Sequence, residues 1–263
     1  MSCFCRHICS LSNLLFLLIA LGTAYLVYLK IHKPAPAKQV HEDKIIFAFL
    51  GAPGSGKGTL AKQVVQELGY KQLSTGDLCR DNIKRETDLG KKLQEYTSKG
   101  ALVPDDVISS MAKEWLDVNT KDGKNIILDG YPRTANQAEL LLNMIKTFYP
   151  DYKLRVVSLN ISDDAVVERL CGRLMCSNKD CGAIYNIKQF VDIEHPVCAT
   201  CGSPLIKRED DKEEVIRERL KIYTQTSQAV IDAFKKAGFA VEEITIEDKN
   251  PKEVFEAFKK MIA

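Results

Sequence analysis

Apolar runs of strand length alternate along this chain with stretches in which apolar residues return every three or four positions. Residues 45–50 (IIFAFL) are apolar throughout, which suits a strand buried on both faces of a parallel sheet. A shorter strand is expected around 71–73, another over 125–128 (NIIL), and a last one over 239–246, where apolar and polar positions alternate. A helix-forming stretch runs to about Leu68. Helical spacing returns over 88–99, with Leu89, Leu93 and Tyr96 on one face, and over 105–118, with Met111 and Trp115. Residues 213–236 form a long helical pattern that carries Val230, Ile231 and Phe234 and stops at Gly238. Asn250-Pro251 then opens a final helix that turns Val254, Phe255 and Phe258 inward. Asp88 and Asp105 stand where N-caps are expected, and Gly100 where a helix hands over to a left-handed residue. Strands and helices in alternation predict an α/β fold with a parallel sheet.

Ahead of this body, residues 14–29 (LLFLLIALGTAYLVYL) are sixteen positions without a charge. Counted from Leu11, the stretch makes about 28 Å of helix, close to the ~30 Å of a hydrocarbon core. A cleaved signal peptide competes with an uncleaved anchor. Its nearest small-residue site, Ala35-Pro36-Ala37, lies beyond Lys30, His32 and Lys33, so the anchor accounts better for the length and the flanking bases. Lys30, Lys33 and Lys38 after the span, against Arg6 before it, place the C-terminal bulk in the cytoplasm. The expectation is a membrane-anchored protein held through residues 11–29, with a Pro/Ala-rich tether over 33–43. Cys3, Cys5 and Cys9 beside the span read as reduced thiols, acylation being the alternative.

Charge and cysteine usage narrow the function. Of 263 residues, 37 are basic and 35 acidic, and a formal net charge of +2 gives no ground for a nucleic-acid partner. Nine cysteines in a chain of this length fit a reducing compartment better than a disulfide framework. His7, His32, His41 and His195 all lie in the N-terminal tail or in the cysteine-rich stretch, and none is placed for catalysis.

The first strand runs straight into Gly51-Ala52-Pro53-Gly54-Ser55-Gly56-Lys57-Gly58-Thr59, and then into the first helix. Strand, glycine loop and helix are the context of a phosphate-binding loop: glycines let backbone N–H groups converge on phosphate oxygens, and the helix N-terminus adds its dipole. Lys57 supplies a point charge for the outer phosphates. Where the general loop pattern has Ser or Thr after the lysine, this chain has Gly58, with Thr59 next; that variant resembles the loop of nucleoside monophosphate kinases. Ser74-Thr75-Gly76-Asp77-Leu78-Cys79-Arg80 reads, taken alone, as a helix start with Thr75 as cap. Asp129, at the end of the 125–128 strand, is well placed to orient hydrated Mg²⁺, with a turn aspartate as the alternative. Arg133, held by Pro132, offers a planar guanidinium to a phosphate.

GAPGSGKGT, STGDLCR, GALVPDDV and LDGYPRT stand in the order and approximate spacing of the adenylate kinases, and the likeness runs from about Lys44 to the C-terminus. This resemblance implies residue roles. ATP would lie on residues 51–59 with Arg169 nearer its base; Thr75, Arg80, Val103, Gly130, Arg133 and Gln137 would form the AMP site. Arg80 and Arg133 would hold the AMP phosphate and Gln137, four residues beyond Arg133, would hydrogen-bond the base.

Cys176-x4-Cys181-x16-Cys198-x2-Cys201 is a four-thiolate set suited to a closed, structural Zn²⁺ site, with disulfides as the rival reading. The segment resembles the zinc-bearing lid of many bacterial adenylate kinases, apart from two extra residues in the first pair. Such a lid has little core of its own, so metal would supply much of its stability. By the same resemblance Arg173, Arg208 and Arg219 would close on the transferring group and on AMP, while Asp210 and Asp211 would hold the lid or position Arg208. Cys79 and Cys171 read as packing residues.

The whole pattern predicts a P-loop NTPase core with a doubly wound parallel sheet, a helical NMP-binding insert and a four-cysteine zinc lid. The boundaries are an anchor over 1–32, a linker over 33–43, core over 44–73, 104–172 and 210–263, the NMP insert over 74–103 and the lid over 173–209. The activity implied is reversible transfer between ATP and AMP to give ADP, with Mg²⁺, by a monomeric catalytic body. A UMP/CMP or GTP-dependent kinase is the alternative enzyme, and an inactive nucleotide-binding scaffold the alternative from another class.

Overall fold

Ile46, Phe47 and Ala48 are wholly buried and Phe49 nearly so, because the apolar run that opens the folded body is covered on both faces. In the computed structural model, which describes residues 44–178, 181–190, 196–247 and 249–263, this strand is β1 (Lys44–Gly51). It forms the middle of a five-stranded sheet with β2 (Lys71–Ser74), β3 (Ile126–Asp129), β4 (Tyr152–Asn160) and β8 (Val241–Thr245). The strand order is β2-β3-β1-β4-β8, and every pairing is parallel. Side chains alternate between the two faces of β1: Ile46, Ala48 and Leu50 join one core, Phe47 and Phe49 the other.

Among the described residues the helices are α1 (Lys57–Leu68), α2 (Thr75–Lys84), α3 (Asp88–Thr97), α4 (Asp105–Asn119), α5 (Ala135–Phe148), α6 (Asp163–Cys171), α7 (Glu213–Lys236) and α8 (Pro251–Ile262). The last is anchored by Phe258, whose ring meets Phe47 and Phe49 edge-on at 5.3 and 5.6 Å. Its start is a capping box between Asn250 and Glu253, with Pro251 in the first turn.

Three caps differ from expectation. Thr87, not Asp88, caps α3 by accepting from Gly90 N–H at 2.9 Å. Ser74, not Thr75, caps α2, since Thr75 is turned inward and buried. Pro104 precedes α4 without a side-chain cap, because Asp105 is engaged elsewhere. Gly100 does take a left-handed φ of 71° past the end of α3. The sequence pattern also missed β4, since Lys153 and Arg155 interrupt its apolar run. Arg155 is accommodated by a bidentate pair with Glu242 on β8, at 2.9 and 2.7 Å.

A second, antiparallel sheet of order β6-β5-β7 is built from β5 (Arg173–Cys176), β6 (Ile184–Asn186) and β7 (Leu205–Ile206). Among the described residues its buried core is Leu174, Cys176, Cys198 and Leu205. The span expected over 11–29 and the tether over 33–43 lie outside the described residues. Among the described residues no helix is long and apolar enough to cross a membrane.

Candidate active site

The strand order reverses direction at β1, with β3 on one side and β4 on the other. A crevice opens beyond the carboxyl ends of strands at such a switch point, and here it is a cavity of about 490 Å³. Nine cationic side chains line it against two carboxylates, Asp77 and Asp129. That imbalance suits a polyanion.

The floor is the loop between β1 and α1. Gly54 and Gly56 take positive φ (81° and 87°), which leaves the loop amides unobstructed by side chains. Lys57 Nζ donates to the carbonyls of Gly51 and Ala52 at 2.7 and 2.8 Å and contacts Ser55 Oγ at 3.3 Å. Burial pushes the Lys57 ammonium down to about 8, opposed by Asp129 and reinforced by Arg133, Arg219 and Arg173. Gly58 sits close against Asp129: a Cβ there would stand 3.1 Å from Asp129 Oδ2. Asp129 in turn accepts from Gln72 Nε2 at 3.2 Å. Ala52 is buried behind the loop and does not line the cavity, while Pro53, Ser55 and Thr59 do.

Opposite the loop, Thr75 Oγ1 and Arg133 Nε both donate to the Gly130 carbonyl, at 2.9 and 2.8 Å. A Cβ on Gly130 would lie 2.8 Å from both Thr75 Oγ1 and Arg133 Nη2, so only glycine fits between them. Arg80 pairs with Asp77 at 2.6 Å and reaches to 3.9 Å from Asp210. Gln137 is buried, its amide held between Arg133 N–H and Asp105 Oδ1 at 2.7 Å each. Thr75, Val103 and Gln137 are not among the lining residues; Leu102 takes the place expected of Val103.

On the far wall, Arg173 makes a bidentate pair with Asp211, at 2.7 and 2.5 Å. Arg219 reaches Asp210 Oδ2 at 3.1 Å. The two aspartates therefore aim Arg173 and Arg219 rather than Arg208, whose Nε instead meets the sulfur of Met175. Burial lowers Arg208 and Arg219 to about 10 each, which leaves both charged at neutral pH. Arg169 lines the cavity beside Leu170. Two contributors went unnoticed in the sequence. Lys62, five residues after Lys57 on α1, lines the cavity and donates to the Gly182 carbonyl at 2.5 Å; its distance from the loop lysine was the available signal. Asp105 organises Gln137 through contacts that no local pattern reveals.

Cys176, Cys181, Cys198 and Cys201 bring their sulfurs within 4.8 Å of one another. Cys176 and Cys201 lie 3.4 Å apart, Cys181 and Cys198 3.6 Å, and none of the four is in a disulfide. A contact from the Tyr185 hydroxyl at 3.3 Å draws the Cys198 thiol down to about 6. Cys79 is buried in the main core, and Cys171 packs beside Leu170 and Ile216, as expected of packing residues.

A family model described as adenylate kinase matches residues 49–239. An adenylate kinase of Archaeoglobus fulgidus is 43% identical over 190 residues, covering 72% of this chain and 86% of the relative. One from Caldicellulosiruptor bescii is 40% identical over 194 residues, 73% and 88% of the two chains, and one from Caldicellulosiruptor saccharolyticus 38% over 212, 80% and 96%. These matches correct the membrane-anchored, cytoplasm-facing placement expected from the N-terminus. The family model takes in none of residues 1–48, and no described helix is long and apolar enough to cross a membrane.

Proposed function

The chain belongs to the adenylate kinase family and is a nucleoside monophosphate kinase, and on that premise we propose how its cleft moves a phosphoryl group between Mg·ATP and AMP. The observation that carries the reading is the convergence of nine cationic side chains on one cavity floored by a phosphate-binding loop. Phosphoryl transfer runs through a loose transition state whose charge is spread over equatorial oxygens; it asks for alignment, neutralised charge and exclusion of water. Residues 51–59 and Lys57 cradle the donor phosphates, and Arg169 lies toward the donor base. Arg80 and Arg133 grip the acceptor phosphate beside Thr75 and Gly130, with Gln137 on the acceptor base and Val103 behind it. Arg173, Arg208 and Arg219 face the group in flight, two of them aimed by the Asp210–Asp211 pair. Carboxylates that pre-set guanidiniums before substrate arrives lower the reorganisation needed at the moment of transfer. No covalent nucleophile is required.

Asp129 fits a divalent ion: it lies at the foot of the loop, next to Gly58, and its carboxylate accepts from Gln72. Mg²⁺ there would neutralise phosphate charge. The four thiols fit zinc. With Zn–S near 2.3 Å a tetrahedron has edges of about 3.8 Å, close to the 3.4 and 3.6 Å found. Cys176, Cys181, Cys198 and Cys201 would hold it, and its contribution would be structural. Residues 74–103 and 173–209 are then the acceptor and lid inserts that shut on the core.

The test is ADP formation from Mg·ATP with AMP, CMP, UMP or GMP as acceptor, using the full chain. AMP is expected to dominate kcat/KM. A preference for UMP or CMP would transfer the chain to the pyrimidine branch of its reaction class, and no turnover with any acceptor would overturn the catalytic reading.

A further inference from the structure

Asp105 spends its carboxylate on one loop–helix junction. Oδ2 accepts from Thr134 Oγ1 at 3.0 Å and Asn136 Nδ2 at 2.9 Å, while Oδ1 accepts from Gln137 Nε2 at 2.7 Å. The other end of the Gln137 amide, Oε1, accepts the main-chain N–H of Arg133 at 2.7 Å. These two restraints have opposite polarity. A carboxylate only accepts and a main-chain N–H only donates, so turning the amide over would set oxygen against oxygen and N–H against N–H. Gln137 is 2% exposed, which leaves no water to absorb that mismatch.

The restraints use half of the amide's capacity. One N–H and one lone pair remain for a ligand. A 6-amino purine offers a donor at C6 and an acceptor at N1; a 6-oxo purine offers the reverse. An amide free to turn serves both, and one that cannot turn serves one. Resting on the assignment of Gln137 to the acceptor base, we infer that Asp105 is a specificity-determining positioning residue. It locks the Gln137 amide in the sense that accepts a 6-amino purine monophosphate and refuses the 6-oxo analogue.

The test is steady-state kinetics of the full chain with Mg·ATP and either AMP or inosine monophosphate, which differ at C6 and N1 alone. The AMP-over-IMP ratio of kcat/KM falls by about tenfold in Asp105→Ala, the scale of one misdirected buried hydrogen bond. In the Gln137→Ala background the same change moves the ratio no further. Asn136→Ala removes a different bond to the same carboxylate and leaves the ratio intact, which separates positioning from mere support. If Gln137→Ala itself leaves the ratio unchanged, the base assignment falls and the inference with it. If Gln137→Ala lowers the ratio and Asp105→Ala does not, the lock alone is overturned. Should Asp105→Ala fail to fold, Asp105→Asn, which offers N–H as readily as oxygen, lowers the ratio in the same direction. An unchanged ratio in that folded variant overturns the inference.

Discussion

Lys57 carries an ammonium group bonded to two carbonyls of its own loop, among three arginines that oppose its charge. Its pKa of about 8 lies below the ordinary lysine value, so the sign of its linkage to ligand is fixed. Bound phosphates favour the ammonium and raise its pKa in the complex. Below pH 8 both states are protonated and ATP affinity is at its full value. Above pH 8 binding must take up a proton, and affinity declines by up to about tenfold per pH unit until the pKa of the complex is passed. Titration calorimetry at pH 9, in buffers of different ionisation enthalpy, is expected to show proton uptake on Mg·ATP binding that Lys57→Met abolishes; buffer-independent heats would contradict this. The loop was legible in the sequence because its chemistry is contained in nine consecutive residues. Asp105 was not, since its partners stand 29 to 32 positions away and its local context, a residue after proline at a helix start, reads equally well as a cap.

Elements show the same division between local and distant causes. β1, α7 and α8 follow from apolar patterning, whereas β4 is broken by charges that only its neighbour β8 explains. The α2–α3 pair depends on a feature that no periodicity displays. Gly90 lets α3 approach α2 so closely that a Cβ would fall 2.1 Å from the Asn82 carbonyl oxygen, a backbone atom that cannot swing aside. Gly90→Ala is therefore expected to destabilise the protein by about 1–3 kcal/mol and, since α2 carries Arg80, to raise KM for AMP more than for ATP. Urea unfolding together with the two KM values checks it, an unaltered midpoint being the contrary result. The small β6-β5-β7 sheet has four buried core residues, two of them cysteines, so its order depends on whatever joins the thiols. Cys198→Ser is expected to drop bound zinc from near one per chain to near zero and to expose lid amides to hydrogen exchange, with the five-stranded sheet still protected. Full zinc occupancy in that variant would remove the metal reading.

At the scale of the molecule, two polar contacts join segments far apart in the chain. Arg80 on α2 comes within 3.9 Å of Asp210 at the base of the lid, and Lys62 on α1 donates to the Gly182 carbonyl next to Cys181. The second contact spans 120 residues of chain and ties the helix that opens at the phosphate loop to the cysteine sheet. Burial lowers the Lys62 pKa, with Asp77 opposing, so the bond is made by a partly desolvated ammonium and is worth more than a surface contact. A bond that exists only when the lid lies against α1 stabilises the closed state and adds nothing to the open one. Removing it shifts the balance toward opening by the value of the bond, on the order of 1 kcal/mol or about fivefold. Lys62→Met is thus expected to raise KM for ATP several-fold while the chemical step measured in a single turnover holds steady. If lid opening limits turnover, kcat rises in the same variant. Lys62→Arg, which can still reach a carbonyl, should restore most of the wild-type KM. Equal losses in the single-turnover rate and in kcat/KM would instead make Lys62 a direct phosphate ligand, moving it from the closing of the lid to the chemistry beneath it.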